Sequence, residues 1–401
     1  MDLLKKRYIY VISGIVVLLL LGCSQAWSIF VVPIETLFGW SRSQTSLAYT
    51  VNFLCMSFGS IMCGILSKKM SYSHLIKLVG ILIFLGFFGC SLVSTPWQLY
   101  ITFGLLVGVA VGMGYNSIMS SVPLWLPEKS ATATGTLLVG YALSTAIFGP
   151  LLNRLIESIG ILYTFKILSI ICGIGIFLSG FIIRKPKDEE LEILPKATIN
   201  SFYSKNEYTT KEMVRKPIFY IYFIMNILIA GGATTMINHS SPMMIEGLLM
   251  TSALSAIIVS MGSISNGIAR FFFGMIFDKI GLKKSVLVVS GIYLVASLGL
   301  FTSFSINNST LFIIFFCMFM LCYAGNAVSI PTITRILFGN KNFSLNYSIV
   351  NLTCIFTSVI PTFMGTVQTM TGSYQLPLFF LVCMSILAMF FTLMLIREYQ
   401  K

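Results

Sequence analysis

Acidic residues are what this sequence has least of. Its 401 residues hold 13 Asp and Glu against 26 Lys and Arg, with only two histidines, His74 and His239. Charged residues make up 10%, where a soluble domain carries about 25%. Every acid falls in a tail, a loop or the end of an apolar run, so no carboxylate pair stands at membrane depth, and neither histidine is placed as a base beside a serine. An intramembrane enzyme needs such a set, and the chain is therefore not expected to be one. All nine cysteines lie within apolar runs, with no Cys-x-x-Cys pair and no histidine at ligand spacing. That pattern predicts buried thiols, with no disulfide framework, metal site or cofactor. Nor does the net charge of +13 imply nucleic acid, which requires a basic face on a soluble fold; here the basic residues sort by loop.

What the chain has instead is apolar length: 56% of its residues are hydrophobic. Stretches long enough to cross a bilayer run over 9–33, 44–66, 75–94, 98–122, 131–153, 160–183, 218–238, 251–275, 284–304, 310–333, 344–367 and 375–396. The opening resembles a signal peptide, and Leu20-Leu21-Gly22-Cys23 a lipoprotein cleavage box. The apolar run continues through Ile29 to Val32, which predicts an uncleaved first helix. All basic residues except Arg42, Arg154, Lys166 and Arg270 fall in the two tails or on the same side as them. By the positive-inside rule both termini are expected in the cytoplasm, the chain being multi-pass in the plasma membrane. Lys166, just inside the outer end of span six, is read as snorkelling to the surface.

Residues 184–216 form the one long polar stretch, read as a cytoplasmic linker with a short amphipathic helix near Thr210 to Arg215. It separates a six-helix bundle over 1–183 from another over 217–401. The halves share landmarks in the same order: Pro33 with Pro242, Gly64 with Gly274, Ser121-Val122-Pro123 with Ser329-Ile330-Pro331, and Pro150 with Pro361, each pair about 210 residues apart. The expected architecture is an all-α integral membrane protein of twelve transmembrane helices in two parallel six-helix repeats. Such repeats place a substrate site at their interface near the bilayer midplane.

Arg270 interrupts the apolar run of span eight. Eight residues separate it from Asp278 at the end of that run, which puts it roughly 12 Å deep at about 1.5 Å per residue, near the middle of a hydrocarbon core about 30 Å thick. A charge there costs about 2.5 to 3.5 kcal/mol on insertion scales and usually marks a transport path. No acid in the sequence is placed to neutralise it, so an anionic substrate is the expected counter-ion. The alternative is a guanidinium solvated by backbone carbonyls, hydroxyls and water. Ser263, Asn266, Gly267, Arg270 and Gly274 share a helix face, a small polar stripe suited to grip a carboxylate through two parallel hydrogen bonds. For Gly267 and Gly274, close helix packing serves as well.

Residues 274–284, Gly149-Pro150 and the stretches CSQAWSIFVVP (23–33), GVAVGMGYNSIMSSVPLWLPEK (108–129), EMVRKPIFY (212–220), IARFFFGMIFDKIG (268–281) and NYSIVNLTC (346–354) carry a further likeness. The chain resembles the major facilitator superfamily, and within it the oxalate/formate antiporter family, which is related to monocarboxylate transporters. The resemblance implies that Arg270 binds a substrate carboxylate. Where that family's oxalate transporter has a lysine in span eleven, this sequence has Cys354. One fixed positive charge suits a monoanion such as lactate, pyruvate or formate better than a dianion. The remaining readings are an oxalate/formate-type exchanger, an exporter of other small molecules or drugs, and a sensor on a transporter scaffold.

Neutral donors and aromatic walls to hold the rest of a small carboxylate are expected from Gln25 and Trp27 in span one, Tyr115 and Asn116 in span four, Tyr141 in span five, Tyr323 and Asn326 in span ten, and Asn351 in span eleven. The turn with Gly274, Asp278, Lys279 and Lys283 reads as a gate, Asp278 facing a helix N-terminus and Lys283 the phosphate surface. Its first-half counterpart has Lys68 for the acid and Ser71 for the glycine, so latching is expected to be asymmetric. No acid in the membrane offers proton coupling; His239 is read as structural, although histidine titrates near neutral pH. The expected partners are a small anionic substrate and the lipid bilayer, and the chain is expected to act as a monomer.

Overall fold

A computed structural model describes residues 3–195 and 207–400; residues 196–206 of the linker lie outside the described residues. Among those described there are helices and turns but no strand. Eleven helices are long and apolar enough to cross a membrane: Lys6–Phe38, Arg42–Leu66, Tyr72–Cys90, Pro96–Trp125, Pro127–Ile159, Ile161–Ser179, Pro217–Gly247, Ser252–Ser305, Ser309–Phe338, Phe343–Thr371 and Gln375–Gln400. The 54-residue helix Ser252–Ser305 is two spans, eight and nine, joined at Gly281, whose φ of +73° is non-helical. Twelve crossings result. The outward faces are apolar, with Ile170, Ile174 and Leu178 exposed on span six and Ile386, Leu387, Phe390 and Leu393 on span twelve. That is the surface a lipid-solvated protein presents.

Contacts divide the chain into two compact units, Met1–Ile199 with Asn342–Ile349, and Asn200–Lys341 with Val350–Lys401. The unit boundary falls inside span eleven. The span runs over Phe343–Thr371, with single turn residues at Leu352 and Ser358 where the backbone stays in the right-handed helical region.

In the first unit, spans two and four approach until backbone meets backbone. A Cβ on Gly112 would lie 1.8 Å from the Met56 carbonyl, and one on Gly59 would lie 2.1 Å from that of Val109. Small residues permit this contact where no hydrophobic effect drives helices together. Two irregular stretches interrupt the unit's helices. Span one tightens to i→i+3 geometry over Gly22–Ala26, and span four widens to i→i+5 over Tyr100–Val107. Asn52 donates to the Phe103 carbonyl in the wide stretch at 2.7 Å, pairing a group that would otherwise be costly to bury.

The start of the linker is clamped to the first unit. Arg184 makes a two-armed ion pair with Glu190 at 2.6 and 2.7 Å, and its carbonyl accepts from the Trp125 indole at 2.8 Å. The guanidinium lies 4.8 Å from the Trp125 ring centre, and Tyr10 stacks on that indole at 3.9 Å. Arg184 holds the Glu190 carboxyl down to about 2, helped by the Lys187 backbone N–H and opposed by desolvation. A depressed carboxyl stabilises the fold above its ordinary value and loses that contribution only as pH falls through about 2. In the second unit, a capping box of Thr209 and Glu212 opens the short helix Thr210–Met213, and Glu207 accepts backbone N–H groups from Asn340 and Lys341.

The two repeat turns differ in their backbone. Ser71 caps span three from an extended conformation, φ −71°, whereas Gly281 requires a positive φ that costs a side-chain-bearing residue about 1 to 2 kcal/mol. Gly281→Ala is expected to lower the thermal midpoint by that equivalent, read by size-exclusion after heating, while Ser71→Gly has the smaller effect of a cap lost to glycine, a few tenths of a kcal/mol.

Candidate functional site

Arg270 is buried in the second unit at 9% exposure, so it is not lipid-facing. Its Nε donates to Oδ1 of Asn266, one helical turn earlier, at 3.2 Å. Spacing i, i+4 puts both on one face, and the bond leaves the guanidinium oriented by its own helix. Gly267 and Gly274 are buried on the same span. Ser263 is exposed and bonds back to the Val259 carbonyl, so the buried stripe begins at Asn266. Tyr323 of span ten lies within electrostatic reach of both Arg270 and Cys354. Cys354 donates to Oδ1 of Asn351 at 3.6 Å. Arg270, Asn266, Tyr323, Cys354 and Asn351 thus fall in one unit, on spans eight, ten and eleven. Asn326 is buried beside them in span ten.

Four other expected residues belong to the first unit. Tyr115 and Tyr141 meet edge to face at 5.2 Å. Gln25 sits in the tightened stretch of span one and accepts from the Tyr49 hydroxyl at 3.1 Å. Gln25, Trp27, Ser28 and Tyr49 line a cleft of about 470 Å³, with Arg42 also on its wall. Arg42 is held there by a two-armed pair with Glu35, 2.8 and 2.9 Å. Trp27 is buried, stacked on Phe103 at 4.0 Å, which makes most of its ring part of the packing.

Asn116, expected as a ligand donor, is already committed to structure. Its amide donates to the Ser60 carbonyl and hydroxyl and to the Ser344 carbonyl, all within 3.0 Å. Its oxygen accepts from Ser120 and Ser344. The Cys63 thiol adds contacts to Ser117 and Ser344. This knot holds the first turn of span eleven within the first unit, and its two halves are 228 residues apart in sequence. Of the turn residues, Gly274 is buried, Lys279 exposed, and Asp278 and Lys283 half-buried. Lys283 reaches the Tyr399 ring at 6.0 Å. His239 lies inside span seven, with Nε2 2.9 Å from the Pro361 carbonyl; since a carbonyl only accepts, that nitrogen carries the proton.

A twelve-crossing helical protein with a buried arginine braced in mid-span has the build of a membrane transporter. The chain belongs to the Major Facilitator Superfamily, whose family model matches residues 12–356. It is 25% identical over 346 residues to the oxalate:formate antiporter of Oxalobacter formigenes, covering 86% of this chain and 81% of that protein. It is also 25% identical over 350 residues to the MFS-type transporter YhjX of Escherichia coli, covering 87% and 85%. Over a shorter 134 residues it is 29% identical to mouse monocarboxylate transporter 12, covering 32% of this chain and 27% of that one. Among solved structures, the proton:xylose symporter XylE matches with a TM-score of 0.74 at 14% identity, covering 96% of this chain and 95% of that one. The transporter FucP in its outward conformation matches at 0.72 and 14%, covering 97% and 99%. Both support the fold alone.

If the Asn116 knot is structural, Asn116→Leu leaves buried carbonyls and hydroxyls unpaired, and the loss is about 1 to 3 kcal/mol. A lower midpoint in thermal unfolding of the purified protein is expected; an unchanged midpoint would show that water or neighbouring hydroxyls replace the amide.

Proposed function

We propose that this protein carries small monocarboxylates, such as lactate, pyruvate or formate, across the plasma membrane by alternating access, as a monomer with both termini in the cytoplasm. The observation that carries the reading is Arg270: a guanidinium buried in span eight and turned by Asn266, at a depth where ionisable residues usually mark a transport path. A carboxylate arriving at that side chain gains charge-assisted, two-armed hydrogen bonds. Tyr323, Asn351 and Cys354 supply the neutral wall from the same unit, and Gln25, Trp27, Tyr115 and Tyr141 of the first unit are the further substrate-binding residues of this reading. The likeness to an oxalate:formate antiporter and a monocarboxylate transporter supports a carboxylate as the class of cargo.

A single fixed cation favours a monoanion over a dianion. Cys354 stands in span eleven where a second cation would be needed to balance oxalate, and in this reading the thiol is what sets charge selectivity. The turn of Gly274, Asp278, Lys279 and Lys283 acts as a cytoplasmic latch. Exchange of oxalate for formate is the second reading, favoured by the likeness to the antiporter of that name.

Counterflow in proteoliposomes with labelled lactate, pyruvate, formate and oxalate separates the two. Saturable monocarboxylate uptake with little oxalate flux is expected of the native protein, and Cys354→Lys should raise oxalate uptake relative to monocarboxylate by about tenfold, roughly 1.4 kcal/mol of added charge pairing. Strong oxalate exchange by the native protein would overturn the monoanion assignment.

A further inference from the structure

Proline at position 361 cannot supply the backbone N–H that the Thr357 carbonyl, four residues earlier, would receive in a regular helix. Left unpaired in the membrane interior, that carbonyl would be costly. It has a partner: the Thr234 hydroxyl of span seven, 3.2 Å away, which shares its proton with the Gly231 carbonyl of its own helix at 3.0 Å. A second bond ties the same two spans, from His239 Nε2 to the Pro361 carbonyl at 2.9 Å. Span seven therefore grips span eleven at the two residues bounding its proline turn.

Between Thr357 and the turn residue Leu352 lies the short segment Thr353–Thr357, which carries Cys354. It is held locally by its own hydroxyls: Thr357 donates to the Cys354 carbonyl at 3.0 Å and Ser358 to that of Ile355 at 2.7 Å. The backbone stays in the right-handed helical region at Leu352 and Ser358, and the Ser358 N–H reaches the Cys354 carbonyl at 3.1 Å, so a shift at Thr357 is passed along the helix to Cys354. The segment is tied to span seven by the hydrogen bond from Thr234 to Thr357 and by the Phe356 ring, edge to face with Phe223 at 5.9 Å.

We propose that Thr234 is a positioning residue for the substrate site: by donating to the carbonyl that Pro361 orphans, it sets where Cys354 and Asn351 stand beside Tyr323. This rests on the carboxylate reading only for its transport consequence. The mechanical part concerns the second unit alone. Thr234 does not touch the substrate; it determines how firmly the wall facing Arg270 is held, so its loss weakens substrate affinity more than turnover.

The test compares Thr234→Val, which keeps the shape and removes the donor, with Thr234→Ser, which keeps the donor. One readout is the rate at which N-ethylmaleimide labels Cys354 in the reconstituted full-length protein, followed by mass spectrometry of its peptide. The other is the KM and maximal rate of counterflow. Thr234→Val should speed Cys354 labelling and raise KM by about fivefold each, the factor that one lost neutral hydrogen bond supplies, while the maximal rate stays within about twofold. Thr234→Ser should match the native protein in both. Native labelling in the Val variant, or equal damage from Ser and Val, would overturn the proposal. Should no monocarboxylate be carried, the labelling comparison still decides the positioning role and the failure belongs to the carboxylate reading. Thr234→Ala gives the same comparison if Val does not fold.

Discussion

A guanidinium inside an apolar helix is the constraint on which the rest of this structure turns. A charge at the depth of Arg270 opposes insertion. The chain retains it and arranges its surroundings accordingly: Asn266 takes the Nε proton, glycines occupy the same span, and Tyr323 is placed where the charge acts on its hydroxyl. In the proposed reading, this is the side chain that meets the substrate carboxylate.

The same economy explains why the helices break where they do. In oil, each departure from the i→i+4 ladder must be repaired by a neighbour, and here the repairs are identifiable. Asn52 answers the wide stretch of span four, and Thr234 answers the carbonyl that Pro361 orphans in span eleven. The tightened stretch of span one carries Gln25, and the segmented part of span eleven carries Asn351 and Cys354.

Much of the scaffold was legible in the sequence, because apolar length is a strong one-dimensional signal. The twelve crossings, the Gly281 turn between spans eight and nine, and the short helix before Pro217 all follow from hydropathy and turn chemistry. Arg270 was conspicuous for the same reason, a charge in an apolar run. What could not be read was partnership. The hydroxyls of Thr234, Ser344 and Ser60 look like any small residue of a membrane helix until a distant carbonyl or amide is placed beside them. Asn116 read as a free donor because its acceptor at Ser344 is 228 residues away. The stacking of Trp27 on Phe103 was equally hidden, since ring packing has no sequence signature.

Equilibrium binding of labelled pyruvate and formate to the purified protein and to its Arg270→Gln variant, matched for folding by size-exclusion, addresses the central claim most directly. The account predicts saturable binding that the glutamine variant loses by about a hundredfold or more, the scale of a charge-assisted pair replaced by a neutral amide. Undiminished anion binding by Arg270→Gln would contradict it.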